Sequence, residues 1–215
     1  SGAVATLLAA EILSQYNWAC TLRFAFWTGE EQGMLGSDVY AQRSYQMGED
    51  IVGYLNLDMI AYNTIGSNRD IDVIYNSSMP PTHDLALLFN DVVNAYSINL
   101  IPELRTSLGG GSDHQSFWYN GYTAILSIED QSDFNPYYHT YQDTPAHTDL
   151  SYFTDFVKAS IGTFAHMGCL LPPSGALAGA VADVEGQPIS GAHIQAQRTP
   201  QQAWETLSNP DGAYL

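Results

Sequence analysis

Residues 22–27, Leu-Arg-Phe-Ala-Phe-Trp, constrain this chain more than any other stretch. Leu22, Phe24 and Phe26 alternate with Arg23, Ala25 and Trp27, but nearly every position is apolar. Such a run predicts a strand covered on both faces, and such strands belong to parallel sheets flanked by helices. The strand runs into Thr28-Gly29-Glu30-Glu31-Gln32-Gly33, a glycine turn that sets two carboxylates side by side. Ligands of open α/β sheets bind at the C-terminal ends of the strands. Neighbouring anions are tolerated there if a cation neutralises at least one of them. The pair therefore reads either as one metal ligand plus one general base or as a solvated acidic turn.

The rest of the chain continues the α/β alternation. Residues 2–16 carry Val4, Leu7, Leu8, Ile12 and Leu13 at helical spacing, with Ser1 as a candidate cap. A helix over 37–47 ends at Gly48. Residues 51–60 predict a second apolar strand with one acid, Asp58, near its C-terminal end. An aspartate in such a run needs a partner, and capping a loop or binding a metal would each supply one. A short strand over 71–75 and an amphipathic helix over 82–96 follow, with His83 expected in solvent. Leu108-Gly109-Gly110-Gly111-Ser112-Asp113-His114 is a glycine-rich loop before a helix, with Ser112 or Asp113 expected as its cap. No Gly-Lys-Ser/Thr follows, so it is not a phosphate-binding loop. A strand over 123–128 leads into the polar loop 129–144, which Pro136 and three tyrosines around His139 should keep structured. A long amphipathic helix over 150–171 closes the region, and His147 and His166 are expected to be structural.

Pro172-Pro173-Ser174-Gly175 reads as a linker, and the composition changes beyond it. Residues 178–184 and 193–197 alternate like strands, with turn chemistry at 185–192 and 209–212. The expected organisation is a catalytic region over 1–171, a linker over 172–176 and a partial all-β module over 177–215. About 40 residues without a disulfide make a marginal domain, so this tail is expected to be the start of a longer module. Ser1 is not an initiator methionine, and the chain is expected to be an excerpt of a longer polypeptide.

The formal net charge of −17, with one lysine and five arginines, disfavours a nucleic-acid partner or an anionic membrane surface. No apolar run approaches the roughly 18 residues of a membrane helix. Cys20 and Cys169 are too few for a disulfide framework and lack metal-like spacing, and whether they pair is open. Oligomeric state and side-chain preference leave no mark in the sequence.

Taken together, Ser1-Gly2 opening a helix, the 27–37 motif Trp-Thr-Gly-Glu-Glu-Gln-Gly-Met-Leu-Gly-Ser, Asn56-Leu57-Asp58-Met59 and His139-Thr140-Tyr141-Gln142-Asp143-Thr144 resemble the co-catalytic di-zinc aminopeptidases, metallopeptidase family twenty-eight. Ser112-Asp113-His114 is a fifth shared feature. The resemblance spans Ser1 to about Leu171. It implies a three-layer α/β fold, with a mixed central sheet flanked by helices and a site at the strand ends. It also implies two zinc ions per complete site, with Glu30 as general base, Glu31 and His139 as ligands to one zinc, and Asp58 as ligand to the other. Tyr138 is a candidate donor to the reaction's oxyanion, though core packing is the stronger expectation for it. Two further ligands of the family pattern lie upstream of the Ser-Gly pair, so this chain alone is expected not to assemble the paired site and to be inactive.

The tail resembles carboxypeptidase regulatory-like β-sandwich modules through Gly179-x-Val181, residues 186–192 and Asp211-Gly212-x-Tyr214. Such modules imply an exported enzyme, secreted or periplasmic. The implied activity is removal of N-terminal residues from peptides. The alternatives are a glutaminyl-cyclase-like acyltransferase using one zinc on the same fold, and a non-catalytic module. Glu129 is a candidate acid for a substrate amino group.

Overall fold

The computed structural model describes residues 1–108, 111–168, 179–199 and 202–214. They divide into two compact units, Ser1–Leu170 and Leu171–Leu215.

The first unit is built on a four-stranded mixed sheet of β1 (Tyr54–Leu57), β2 (Asp70–Tyr75), β3 (Ile101–Thr106) and β4 (Ala124–Glu129). The strand order is β1-β4-β2-β3. β1 pairs parallel with β4, with Asn56 opposite Leu126, and β2 pairs parallel with β3, with Asp72 opposite Glu103. β2 and β4 run antiparallel and join the two halves. All six residues of β4 are buried, as a central strand covered on both faces requires. β3 was not foreseen in the sequence. Its Pro102 and its alternation of exposed and half-buried residues suit an edge strand.

Five helices surround the sheet: α1 (Gly2–Leu13), α2 (Leu35–Gln46), α3 (Pro80–Ala95), α4 (His114–Tyr119) and α5 (Leu150–Met167). Beneath it, α3 and α5 bury Phe89, Val93, Tyr152 and Phe156 against Ile71, Val73 and Ile125. Above it, α2 and α4 enclose Phe117, Trp118 and Ala41 with Ile74, Leu126 and Ile128. The expected three-layer α/β architecture is therefore present. α5 starts at an Asp149 cap, whose Oδ1 accepts from Ser151 N at 2.9 Å and from Tyr152 N at 3.0 Å.

Two strand expectations need correction. The second apolar run forms a ladder only over Tyr54–Leu57. Residues 21–27 carry no regular secondary structure and belong to no ladder, and Phe26 is 59% exposed. Side chains hold this segment instead. Phe24 packs edge-on to Phe164, and Arg23 meets Glu49 at 2.6 Å. The caps also differ: Ser1 and Asp113 occupy cap positions, but neither side chain makes a capping bond.

The second unit holds two antiparallel pairs, β5 (Gly179–Ala180) with β8 (Ala213–Tyr214), and β6 (His193–Thr199) with β7 (Gln202–Leu207). These are short ladders, and the described residues do not contain the expected sandwich. Cys169 and the 172–176 linker lie outside the described residues, as do Gly109 and Gly110. Among the described residues no helix is long and apolar enough to cross a membrane.

Candidate metal and catalytic site

The turn after residue 28 brings the twin carboxylates to the rim of the sheet. Gly33 N and Met34 N both donate to Glu30 O, at 2.9 and 2.8 Å, and Gly36 N donates to Thr28 O at 2.9 Å. Gly29 and Gly33 have φ of +69° and +105°, backbone that L-residues rarely adopt, which is why glycines bracket the two glutamates. Met34 at φ +58° then leads into α2. A Cβ on Gly36 would come within 2.9 Å of the Thr28 backbone, so this glycine lets the helix start against the turn.

Glu31 and His139 meet across more than a hundred residues of sequence, with His139 Nε2 2.6 Å from Glu31 Oε1. Both side chains are about half exposed, so this pair adds little to stability. His139 has a left-handed backbone, φ +57°, a sparsely populated conformation for a histidine. The loop that holds it is tied down from below. Glu129, buried at the end of β4, accepts from Asn135 N at 3.2 Å and from Tyr62 N at 3.1 Å. Asn135 Nδ2 in turn donates to Asp143 Oδ1 at 3.0 Å. Tyr138 stacks on the His139 ring with centroids 3.8 Å apart. It is 43% exposed, which overturns the expectation that it packs in the core. Burial and the nearby Glu31, Asp58 and Glu30 raise its phenol above the ordinary value.

Asp58 stands just beyond β1 and is held by a chain of hydrogen bonds. Trp27 Nε1 donates to Tyr54 Oη at 2.9 Å, and Tyr54 Oη donates to Asn56 Oδ1 at 3.0 Å. Asn56 Nδ2 donates to Ser112 Oγ at 2.8 Å, and Ser112 Oγ donates to Asp58 Oδ2 at 2.8 Å. Ser112 is thus no helix cap; its hydroxyl is spent on Asp58. The sequence carried a signal for this chain. Tyr54, Asn56 and Asp58 are two apart in an extended run, so their side chains share one face.

Glu30 lies between these groups. Its carboxyl is raised above the ordinary value, first by burial and then by Asp58, Glu31 and Asp113, while His139 opposes the shift. Glu129 is pushed up to about 7, chiefly by burial, with the Tyr62 and Asn135 amides acting against it. Its oxygens accept two backbone amides beneath the loop, so in this structure the candidate acid for a substrate amine serves as an anchor. His114 is fully buried, edge-on to Trp118, and burial lowers it to about 4. It is a neutral core imidazole.

Oxygen and nitrogen donors of the Glu31–His139 kind suit zinc. Among the described residues, however, no group of three or more His, Cys, Asp or Glu side chains is gathered closely enough to hold a metal ion. The structure brings Glu31 to His139 and sets Asp58 near Glu30, but it does not close a complete ligand set.

The sequence profile described as Peptidase family M28 matches residues 1–163. The chain belongs to this family. Relatives by sequence include the probable leucine aminopeptidase 2 of Aspergillus oryzae, 34% identical over 125 residues, covering 56% of this chain and 25% of that protein. Leucine aminopeptidase 1 of Trichophyton rubrum is 28% identical over 159 residues, covering 73% of this chain and 42% of that protein. The chain therefore spans between a quarter and about two fifths of the length of these relatives. Solved structures with the same fold include the LapA aminopeptidase of Legionella pneumophila, with a TM-score of 0.69 and 21% identity, covering 78% of this chain and 46% of that one. A zinc aminopeptidase from Bacillus subtilis gives a TM-score of 0.64 and 19% identity, covering 77% of this chain and 40% of that one. The family membership and the mixed central sheet agree with one another.

Proposed function

We propose that this M28 chain carries the base and part of the zinc-ligand set of an aminopeptidase that removes N-terminal residues from peptides. The observation that carries the reading is the meeting of His139 with Glu31, beside a Glu30 whose carboxyl is raised first by burial and then by Asp58 and Glu31. Glu31 and His139 would hold one zinc ion and Asp58 a second, Ser112 fixing the Asp58 carboxylate through Oδ2. Bound zinc would lower the pKa of a water and polarise the scissile carbonyl.

The chain's own residues do the rest. Glu30, with its raised carboxyl, takes a proton from the attacking water and passes it to the leaving amine; a base works best when its pKa approaches the operating pH. Tyr138 would donate to the developing oxyanion; its stacking on His139 beside the same carboxylates supports that role. Glu129 keeps the His139 loop at the rim through the Asn135 amide.

Glu30→Gln in the polypeptide that carries this chain tests the reading. Hydrolysis of aminoacyl-p-nitroanilides should lose about 10²–10⁴-fold in kcat, with little change in KM or zinc content. A chelator should abolish the wild-type rate. Retention of the rate in Glu30→Gln would remove Glu30 from the chemistry, and a chelator-resistant rate would remove the metal.

A further inference from the structure

Four hydrogen bonds run from Trp27 to Asp58, and the two ends of this chain differ in kind. The Trp27 indole N–H only donates, and the ionised Asp58 carboxylate only accepts. Trp27 Nε1 donates to Tyr54 Oη at 2.9 Å, and Ser112 Oγ donates to Asp58 Oδ2 at 2.8 Å. Between them stand a phenol, an amide and a hydroxyl, each able to point either way. The Asn56 amide is the point of choice. As it stands, it accepts from Tyr54 Oη at 3.0 Å and donates to Ser112 Oγ at 2.8 Å. Turned over, it would donate to the phenol and accept from Ser112. The serine would then show Asp58 a lone pair instead of a proton. Asn56 and Ser112 are 5% and 3% exposed, so bulk water does not make good a wrong turn.

We propose that Trp27 is a positioning residue for Asp58: its indole N–H selects the direction of the whole chain and so keeps the Ser112 hydroxyl proton on the Asp58 carboxylate. The phenol has one proton to give. Trp27 Nε1 is no acceptor, so among the described residues that proton goes to Asn56. Burial holds the Tyr54 phenol above its ordinary value, so the proton stays on the oxygen. With Tyr54 donating, Asn56 faces it with oxygen and turns its N–H to Ser112. The serine's own proton is left for Asp58 Oδ2. Rings fix the indole in turn. Its centroid lies 4.9 Å from that of Tyr40 and 6.1 Å from that of Phe117, and Tyr54 stacks on Phe117 at 4.0 Å. Trp27 lies in the same motif as Glu30 and Glu31, so one segment carries both glutamates and also orients Asp58. Partners that act through a ligand in this way change metal affinity by about 10–100-fold. That consequence rests on the zinc reading above; the direction of the chain does not.

Side-chain NMR and zinc titration test the proposal in the polypeptide that carries this chain, as wild type, Trp27→Phe, Tyr54→Phe and the double variant. Phenylalanine keeps a ring at each place and removes the polar group. In the wild type the Asn56 Nδ2 protons should show nuclear Overhauser contacts to the Ser112 Cβ protons. In Trp27→Phe contacts to the Tyr54 ring should appear in their stead. Trp27→Phe should weaken zinc binding by about 10-fold, and in the Tyr54→Phe background, where the chain is already cut, by no more than about twofold. Benzothienylalanine at position 27 keeps both rings and lacks only the N–H, and it should act as Trp27→Phe does even if the phenylalanine variant fails to fold. An Asn56 amide that keeps its wild-type contacts without the indole N–H would overturn the proposal. So would an equal loss of zinc affinity in both backgrounds, which would mean that the indole acts by packing. A turned Asn56 with unaltered zinc binding would uphold the chain's direction and remove Asp58 from the zinc reading instead.

Discussion

At the scale of single residues, two buried groups carry sharp consequences. Glu129 has a folded-state pKa of about 7 against an ordinary 4.5. A carboxyl raised in the folded state favours folding fully below the unfolded value, and that contribution is lost as pH rises through the folded value. Stability should therefore fall between about pH 4.5 and 7 by on the order of 3 kcal/mol from this group. Glu129→Gln should flatten that slope in urea titrations at pH 5 and pH 8, while costing about 1 kcal/mol for one of its two amide bonds. A slope that survives the substitution would assign the pH dependence elsewhere. Ser112→Ala removes both the acceptor of Asn56 and the donor to Asp58. Asn56 is buried, so thermal unfolding should show a loss of about 1–3 kcal/mol. An unchanged melting temperature would mean that water replaces the hydroxyl.

At the scale of elements, β3 is held to β2 by more than its ladder. Arg105 of β3 places Nε 2.6 Å from Oδ1 of Asp72, which is wholly buried on β2. The approach is too oblique for a hydrogen bond, and burial still holds the Asp72 carboxyl above its ordinary value despite Arg105. Arg105→Met would leave that carboxyl without its counter-charge and should destabilise the protein by about 3–5 kcal/mol at pH 7, less at pH 4, as measured by urea unfolding. Equal losses at the two pH values would show that packing of the arginine, not its charge, matters. Asp149→Ala should cost about 1 kcal/mol through the lost α5 cap. The helices were legible in the sequence because 3.6-residue periodicity is local: α3 and α5 appear within a few residues of the expected spans. Residues 22–27 read as a strand for an equally sound local reason, but a strand needs a neighbour, and among the described residues none pairs with it. β3 was missed because its alternation with Pro102 and Arg105 is that of an edge, which resembles a loop.

For the whole molecule, family and fold were legible because short motifs in a fixed order, from Ser1-Gly2 to the 139–144 loop, are spread along most of the first unit. Glu30, Glu31, Asp58 and His139 could be named from those motifs. Ser112 and Asn56 could not be given their supporting roles, because these depend on contacts between segments more than fifty residues apart; the burial of Glu129 beneath the loop, with its bond from the Tyr62 amide, likewise needed the fold. In the proposed reading, Glu31, His139 and Asp58 are metal ligands of a set that the described residues do not complete. Calorimetric zinc titration of the 215-residue chain, beside Glu31→Ala and His139→Ala, tests it most directly. At most one weak site is expected in the wild-type chain, lost in both variants. Two tight sites, or binding untouched by the loss of His139, would contradict it.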